Sequence, residues 1–141
     1  MTQIKIIPAK AIGLFAFSLT LLVTNIFNFI WQGNKTANPL FYISLTYYVG
    51  GVLQVVCGFI QLFSGDVFYS TILTSYGAFW LSSKGLLVTE KSDHGTALFC
   101  YFVWFALTVI FAMNALKRSI VLVIALSLMG LALVFLRDRA I

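Results

Sequence analysis

Residues 36–65, TANPLFYISLTYYVGGVLQVVCGFIQLFSG, run for thirty positions without one charged side chain. A helix needs about 20 mostly apolar residues to cross roughly 30 Å of hydrocarbon. This stretch is long enough for one crossing, with Pro39 in a first turn that does not need its missing N–H and an end near Phe63. Working outward, the charges cut the rest of the chain into similar lengths: Ala11 to Trp31, Val67 to Val88 (with Lys84 late in it), Gly95 to Leu116 and Ser119 to Leu136. The reading is an all-α, polytopic membrane helix bundle of five predicted spans, at about 11–31, 39–63, 67–88, 95–116 and 119–136, in a single membrane domain over 1–141. The connections are short, so sequential helices are expected to be antiparallel neighbours.

Composition agrees with that reading. Hydrophobic residues make up 61% of the chain and charged residues 9%, whereas soluble domains carry roughly a quarter charged residues. The 13 ionisable Lys, Arg, Asp and Glu side chains cannot coat a water-facing surface, and disorder needs low hydrophobicity. The net charge of +5 is expected in loops near anionic lipid headgroups, with no nucleic-acid partner. Cys57 and Cys100 form no CxxC pair, and His94 is the lone histidine, so no metal or other cofactor is expected. The orientation stays open: four basic residues fall on the side of the N-terminus and five on the other, a count that the positive-inside rule does not decide.

Polar residues at membrane depth face neighbours or water rather than lipid, which makes their angular placement informative. In the second span Tyr47, Gly50, Gln54, Gly58, Gln61 and Gly65 recur at spacings of three and four, on one helical face. The pattern suits a close helix–helix seam and a conduit wall equally. In the third span Thr71, Ser75, Ala78 and Ser82 share a face, with Thr74 and Tyr76 adjoining. Such hydroxyls can bond a carbonyl one turn back, whereas the Tyr76 ring can narrow a passage while its hydroxyl offers a hydrogen bond. In the first span Gly13, Phe17, Thr20, Thr24 and Asn28 share a face, with Asn25 beside it, and Asn25 is expected to find Gln54 or a solute as its partner. The fourth span, rich in Phe and Trp, reads as packing or a lipid-facing wall. Catalytic chemistry is poorly provided for: no carboxylate pair, nucleophile–histidine arrangement, HExxH or phosphate loop occurs, so no enzyme is expected.

The residues from Tyr48-Val49-Gly50-Gly51-Val52-Leu53-Gln54 through Gly58 to Gly65-Asp66-Val67-Phe68, followed by Thr74-Ser75-Tyr76-Gly77-Ala78-Phe79-Trp80, resemble the acetate uptake transporter family, the succinate–acetate permease type. That family shows a GG-x-x-Q-x-x-x-G pattern, a GNTF-like turn and a TSYGxFW stretch. The resemblance spans about residues 8–135. It implies six helices per protomer, assembly as a homo-oligomer (a hexamer), and a pore within each protomer narrowed by a phenylalanine, a tyrosine and a leucine. Residue by residue these fall on Phe17, Tyr76 and Leu128. Asn25, Gln54, Ser75, Thr74 and Gln61 are then expected to line the pore, and Gly50, Gly51, Gly58 and Gly77 to pack helices together.

The chain departs from the family pattern at several points. Pro8-Ala9-Lys10-Ala11-Ile12-Gly13 stands where the family has an NPAPLG-like segment near a substrate entrance, Gln61 replaces a glutamate, and GNTF becomes Gly65-Asp66-Val67-Phe68. The chain also stops at Ile141, about one helix short of six, as a truncated relative would. The function expected from the resemblance is passage of acetate and similar small monocarboxylates across a plasma membrane or cell inner membrane, as neutral acid or as a hydrated anion stepping between hydrogen-bond sites. The alternative is a non-conducting, truncated relative that acts as an assembly partner of full-length permeases.

Overall fold

The first helix, α1 (Ala9–Ile30), starts where Pro8 offers its carbonyl to the Ile12 amide at 3.0 Å. The structure, a computed structural model, describes residues 8–30, 40–88 and 94–137, with the side chains of 28–30, 83–88, 94–98, 101 and 131–137 excepted. Along α1 the buried positions are Ala9, Gly13, Ala16, Phe17, Thr20 and Thr24, the spacing of a single helical face. Ile12, Phe15, Leu22 and Ile26 on the other side are exposed. A helix that is apolar on both sides suits a hydrocarbon surround rather than water.

The second span is one continuous rod in three pieces: α2 (Leu40–Leu45), a π-helical segment (Thr46–Leu53) and α3 (Gln54–Phe63). The joints at Leu45 (φ −62°, ψ −48°) and Gln54 (φ −64°, ψ −42°) keep right-handed helical dihedrals, so the chain changes its hydrogen-bond step without breaking. Both α1, over Ala9–Phe27, and the rod, over Leu40–Phe63, are long and apolar enough to cross a membrane. The wide turns of the π segment, in which bonds run i to i+5, move the buried face. Sequence periodicity places Tyr47 on it, but the structure buries Thr46 and leaves Tyr47 half-buried.

The rod ends in a left-handed glycine. Gly65 has φ +82°, the Asp66 amide reaches back to the Gln61 carbonyl and the Gly65 amide to Leu62, each at 3.0 Å. This is the Schellman arrangement that satisfies the last carbonyls of a helix. Asp66 then opens α4 (Val67–Val88), its Oδ1 accepting from the Tyr69 amide at 3.3 Å, as an N-cap should. Two further helices follow, α5 (His94–Ala115) and α6 (Ile120–Arg137). Ser119 caps α6, its Oγ accepting from the Leu122 amide at 3.4 Å, while Lys117 and Arg118 lie exposed in the turn at the end of α5. Helix limits and expected span limits differ by two residues at most, at Ala9 against Ala11.

The chain is built as two compact units, Met1–Gly85 and Leu86–Ile141. In the first, glycines let three helices approach closely. A β-carbon at Gly58 would lie 2.8 Å from Thr74 Cγ2 and 2.9 Å from Thr74 N, and one at Gly77 would lie 2.6 Å from Val55 Cγ2 and 3.0 Å from the Gly51 carbonyl oxygen. Neither leaves room for any larger residue without backbone movement. In the second unit α5 packs on α6 through Thr108, Ala115, Leu122, Leu126 and Met129. An open cleft of about 480 Å³ runs beside that contact, lined by Phe105, Val109, Met113, Val123 and their neighbours.

Candidate functional site

The glycine contacts set the levels of the first unit. Gly13 on α1 meets Cys57 of α3 and Leu73 of α4, and Gly50 meets Thr20 of α1 and Trp80 of α4. Between these two levels each helix advances by seven residues: 13 to 20 on α1, 57 back to 50 on the rod, 73 to 80 on α4. Halfway along lie Phe17, Gln54 and Tyr76, so the three belong to one layer.

That layer is closed. Phe17 is 1% exposed and Tyr76 and Gln54 0%. The Phe17 and Tyr76 rings meet in a tilted pair with centroids 4.9 Å apart at 51°, within the range of favourable aromatic pairs. Gln54 is the anomaly. Neither Nε2 nor Oε1 has a hydrogen-bond partner among the described residues, although a buried amide left unpaired costs about 1–3 kcal/mol for each such group. Thr24 Oγ1, two turns beyond Phe17, is likewise buried and unpartnered, whereas Thr20 Oγ1 bonds the Ala16 carbonyl at 2.7 Å. The buried polar side chains described in this unit are Thr20, Thr24, Thr46, Gln54, Gln61 and Ser70, none of them ionisable.

Two turns toward the start of α1 and α4 the layer changes character. Lys10 precedes Phe17 by seven residues and Tyr69 precedes Tyr76 by seven, about 10 Å along each axis. The Lys10 ammonium lies 3.5 Å above the Tyr69 ring and 3.6 Å from Asp66 Oδ2. Two positions far apart in the chain thus meet in space.

The remaining expected residues are distributed differently. Gln61 is buried, Ser75 is half-buried, and Thr74 donates to the Ser70 carbonyl with its methyl against Gly58. Gly50, Gly51, Gly58 and Gly77 all lie in the seams between helices. Asn25 does not pair with Gln54: it is exposed, and Nδ2 donates to the Leu21 carbonyl at 2.8 Å. The stripe of Thr71, Ala78 and Ser82 points out of the unit, because Tyr69, Ile72, Leu73, Tyr76, Phe79 and Trp80 take the inward positions. Thr71 and Ser82 bond carbonyls of their own helix. Leu128 lies in the second unit, on α6, and is 60% exposed. Lys84 and Asn28 fall outside the described side chains. Sequence reading missed Thr46, Trp80 and the Lys10–Asp66–Tyr69 group. Lys10 and Asp66 were visible singly as departures from a pattern, but no signal paired them.

Fold and layer together define a class: an all-helical membrane bundle whose core carries an aromatic pair and an uncharged amide at mid-depth. The pattern of the GPR1/FUN34/yaaH family matches residues 1–140, and the chain belongs to that family. It is 31% identical over 94 residues to the succinate-acetate/proton symporter SatP of Escherichia coli K12, a match that covers 64% of this chain and 46% of that protein. Similarity to acetate permease A of Emericella nidulans is 32% over 87 residues, covering 62% and 28%. To ammonia transport outward protein 2 of Saccharomyces cerevisiae it is 30% over 106 residues, covering 68% and 37%. The chain spans about half the length of SatP or less of these relatives. Its fold matches the structure of the bacterial acetate channel SatP with a TM-score of 0.83 at 21% identity, covering 95% of this chain and 75% of that one. All these relatives carry the names of transporters or channels.

Proposed function

We propose that the chain forms a transmembrane passage for acetate and similar small monocarboxylates, with Phe17 and Tyr76 as its narrow point. Gln54 carries this reading. Its buried amide is unsatisfied at the level of the aromatic pair, and a carboxylic acid offers a donor and an acceptor that match its two ends. The similarity to SatP and to acetate permease A supports acetate as the solute. Among the described residues no buried cation stands in the layer, and a bare carboxylate in low-dielectric surroundings costs several kcal/mol. The solute therefore crosses this point as neutral acid or with part of its water. Ser75, Thr74 and Gln61 extend the polar route, and Gly50, Gly51, Gly58 and Gly77 hold the wall together. A multi-pass position in a plasma membrane or cell inner membrane, in contact with lipid, and assembly as a homo-oligomer, a hexamer by family resemblance, belong to the same proposal. The exposed Phe15, Phe41, Phe59 and Phe102 support it, as apolar surface for acyl chains or neighbouring copies.

The test is uptake of radiolabelled acetate by purified protein in vesicles, with and without a pH gradient. Tyr76→Ala is expected to raise flux of larger monocarboxylates relative to acetate. Tyr76→Phe keeps the bulk and is expected to retain the size cutoff while slowing acetate. Unchanged selectivity in both, with folding verified, assigns Tyr76 to packing. Absence of any uptake by the wild-type protein favours the non-conducting partner reading.

A further inference from the structure

We propose that Lys10 is the anion-recruiting residue at one mouth of this passage, presented on the Tyr69 ring and released to an incoming carboxylate by Asp66. The inference rests on the passage reading and adds to it a specificity residue. Three observations carry it. The ammonium is fixed between a carboxylate oxygen at 3.6 Å and an aromatic face at 3.5 Å, yet the Lys10 side chain is 44% exposed and that of Asp66 30%. The cation is therefore held in place and still reachable from water. It also lies two turns before Phe17, on the helix that carries that ring, while its aromatic platform lies two turns before Tyr76. An anion gathered at Lys10 is thus about 10 Å from the narrow layer.

Asp66 is committed on both oxygens. Oδ1 accepts from the Tyr69 amide at the start of α4 and Oδ2 faces Lys10. Ion pairs at this exposure are weak, and so is a cation–π contact at an exposed site. A solute carboxylate can therefore share the ammonium without dismantling the fold. Weak capture of this kind favours throughput over retention.

A rival account makes the same group a structural tie between the start of α1 and the turn before α4. The two differ in sign. Recruitment requires that Lys10→Met weaken acetate capture and that Asp66→Asn, which frees the ammonium and keeps a good helix cap, strengthen it. A tie requires that both substitutions act in the same direction. The experiment reads two quantities: broadening of the ¹³C-acetate signal by purified protein in micelles, and the half-saturating acetate concentration for uptake in vesicles.

For Lys10→Met the expected result is a rise of about two- to fivefold in half-saturation, the range that an exposed ion pair supports, with the maximal rate kept. Lys10→Arg should restore the wild-type value. Asp66→Asn should shift half-saturation the other way, and all these differences should shrink as sodium chloride is raised. Equal acetate broadening in wild type and Lys10→Met overturns the inference and leaves the passage reading standing. Lys10-dependent broadening without uptake does the reverse.

Discussion

Replacing Gln54 by leucine separates a polar seam from a solute-facing amide, because the two readings predict stability changes of opposite sign. Leucine nearly matches glutamine in volume, so the packing around Phe17 and Tyr76 is little disturbed. In the closed layer both ends of the amide are unpartnered and the residue is 0% exposed. Removing two buried orphan groups at about 1–3 kcal/mol each, discounted because the chain unfolded in a membrane also finds partners, gives an expected stabilisation of about 1–3 kcal/mol. A seam glutamine with interhelical hydrogen bonds would instead lose about 0.6–2 kcal/mol on substitution.

Flux should move against stability. A solute hydrogen bond to Gln54 of about 1–2 kcal/mol at the narrowest point corresponds to acetate uptake slower by about 5- to 30-fold when it is lost. The measurements are thermal unfolding of the purified protein in detergent and initial uptake of labelled acetate in vesicles, on the same preparations. Greater stability with slower uptake is the expected pair, a trade-off typical of functional sites. Lower stability together with lost uptake would refute the reasoning and return Gln54 to the seam.

Substitutions at three glycines test the packing of each unit and the turn. Gly58→Val drives side-chain carbons toward Thr74 N and the Ser70 carbonyl, 2.9 Å and 3.2 Å from a β-carbon at that position, and is expected to destabilise the first unit by about 3 kcal/mol. Gly130→Ala, whose nearest neighbours would lie at 3.6–3.8 Å, should be tolerated in the same unfolding assay. At the turn, Gly65→Ala meets no atom within 4 Å but must adopt φ +82°, so a loss of about 1–2 kcal/mol is expected from the backbone alone, with Gly65→Asn losing less.

The helices were legible because their signal is coarse: thirty uncharged residues between Lys35 and Asp66 leave little choice but a long apolar rod. The α1 face was legible too, since Gly13, Phe17, Thr20 and Thr24 follow one unbroken period. The interior was less legible where two residue types compete for it. On α4 the hydroxyl stripe was uninformative because such groups can bond their own helix; the large rings of Tyr69, Tyr76, Phe79 and Trp80 bury more area and Thr71 and Ser82 face outward. Asn25 satisfies its amide on its own helix, an option that spacing does not reveal. The π segment was invisible because Gly50 and Gln54 fit an α-helical period as well as the wider one. Lys10 and Asp66 are 56 positions apart in the chain, and only the fold brings them together.

The glycine seams limit how the first unit can move. With the Gly77 β-position 3.0 Å from the Gly51 carbonyl and that of Gly58 2.9 Å from the Thr74 amide, sliding one of these helices past another by a residue would drive side chains into backbone. Helix sliding is thereby restricted in this unit, and in the proposed passage the χ angles of Phe17 and Tyr76 would be the gate. A gate made of two rings needs no concerted domain rearrangement, so its opening belongs to the fast end of the protein timescale and its barrier responds to ring size rather than to loop length.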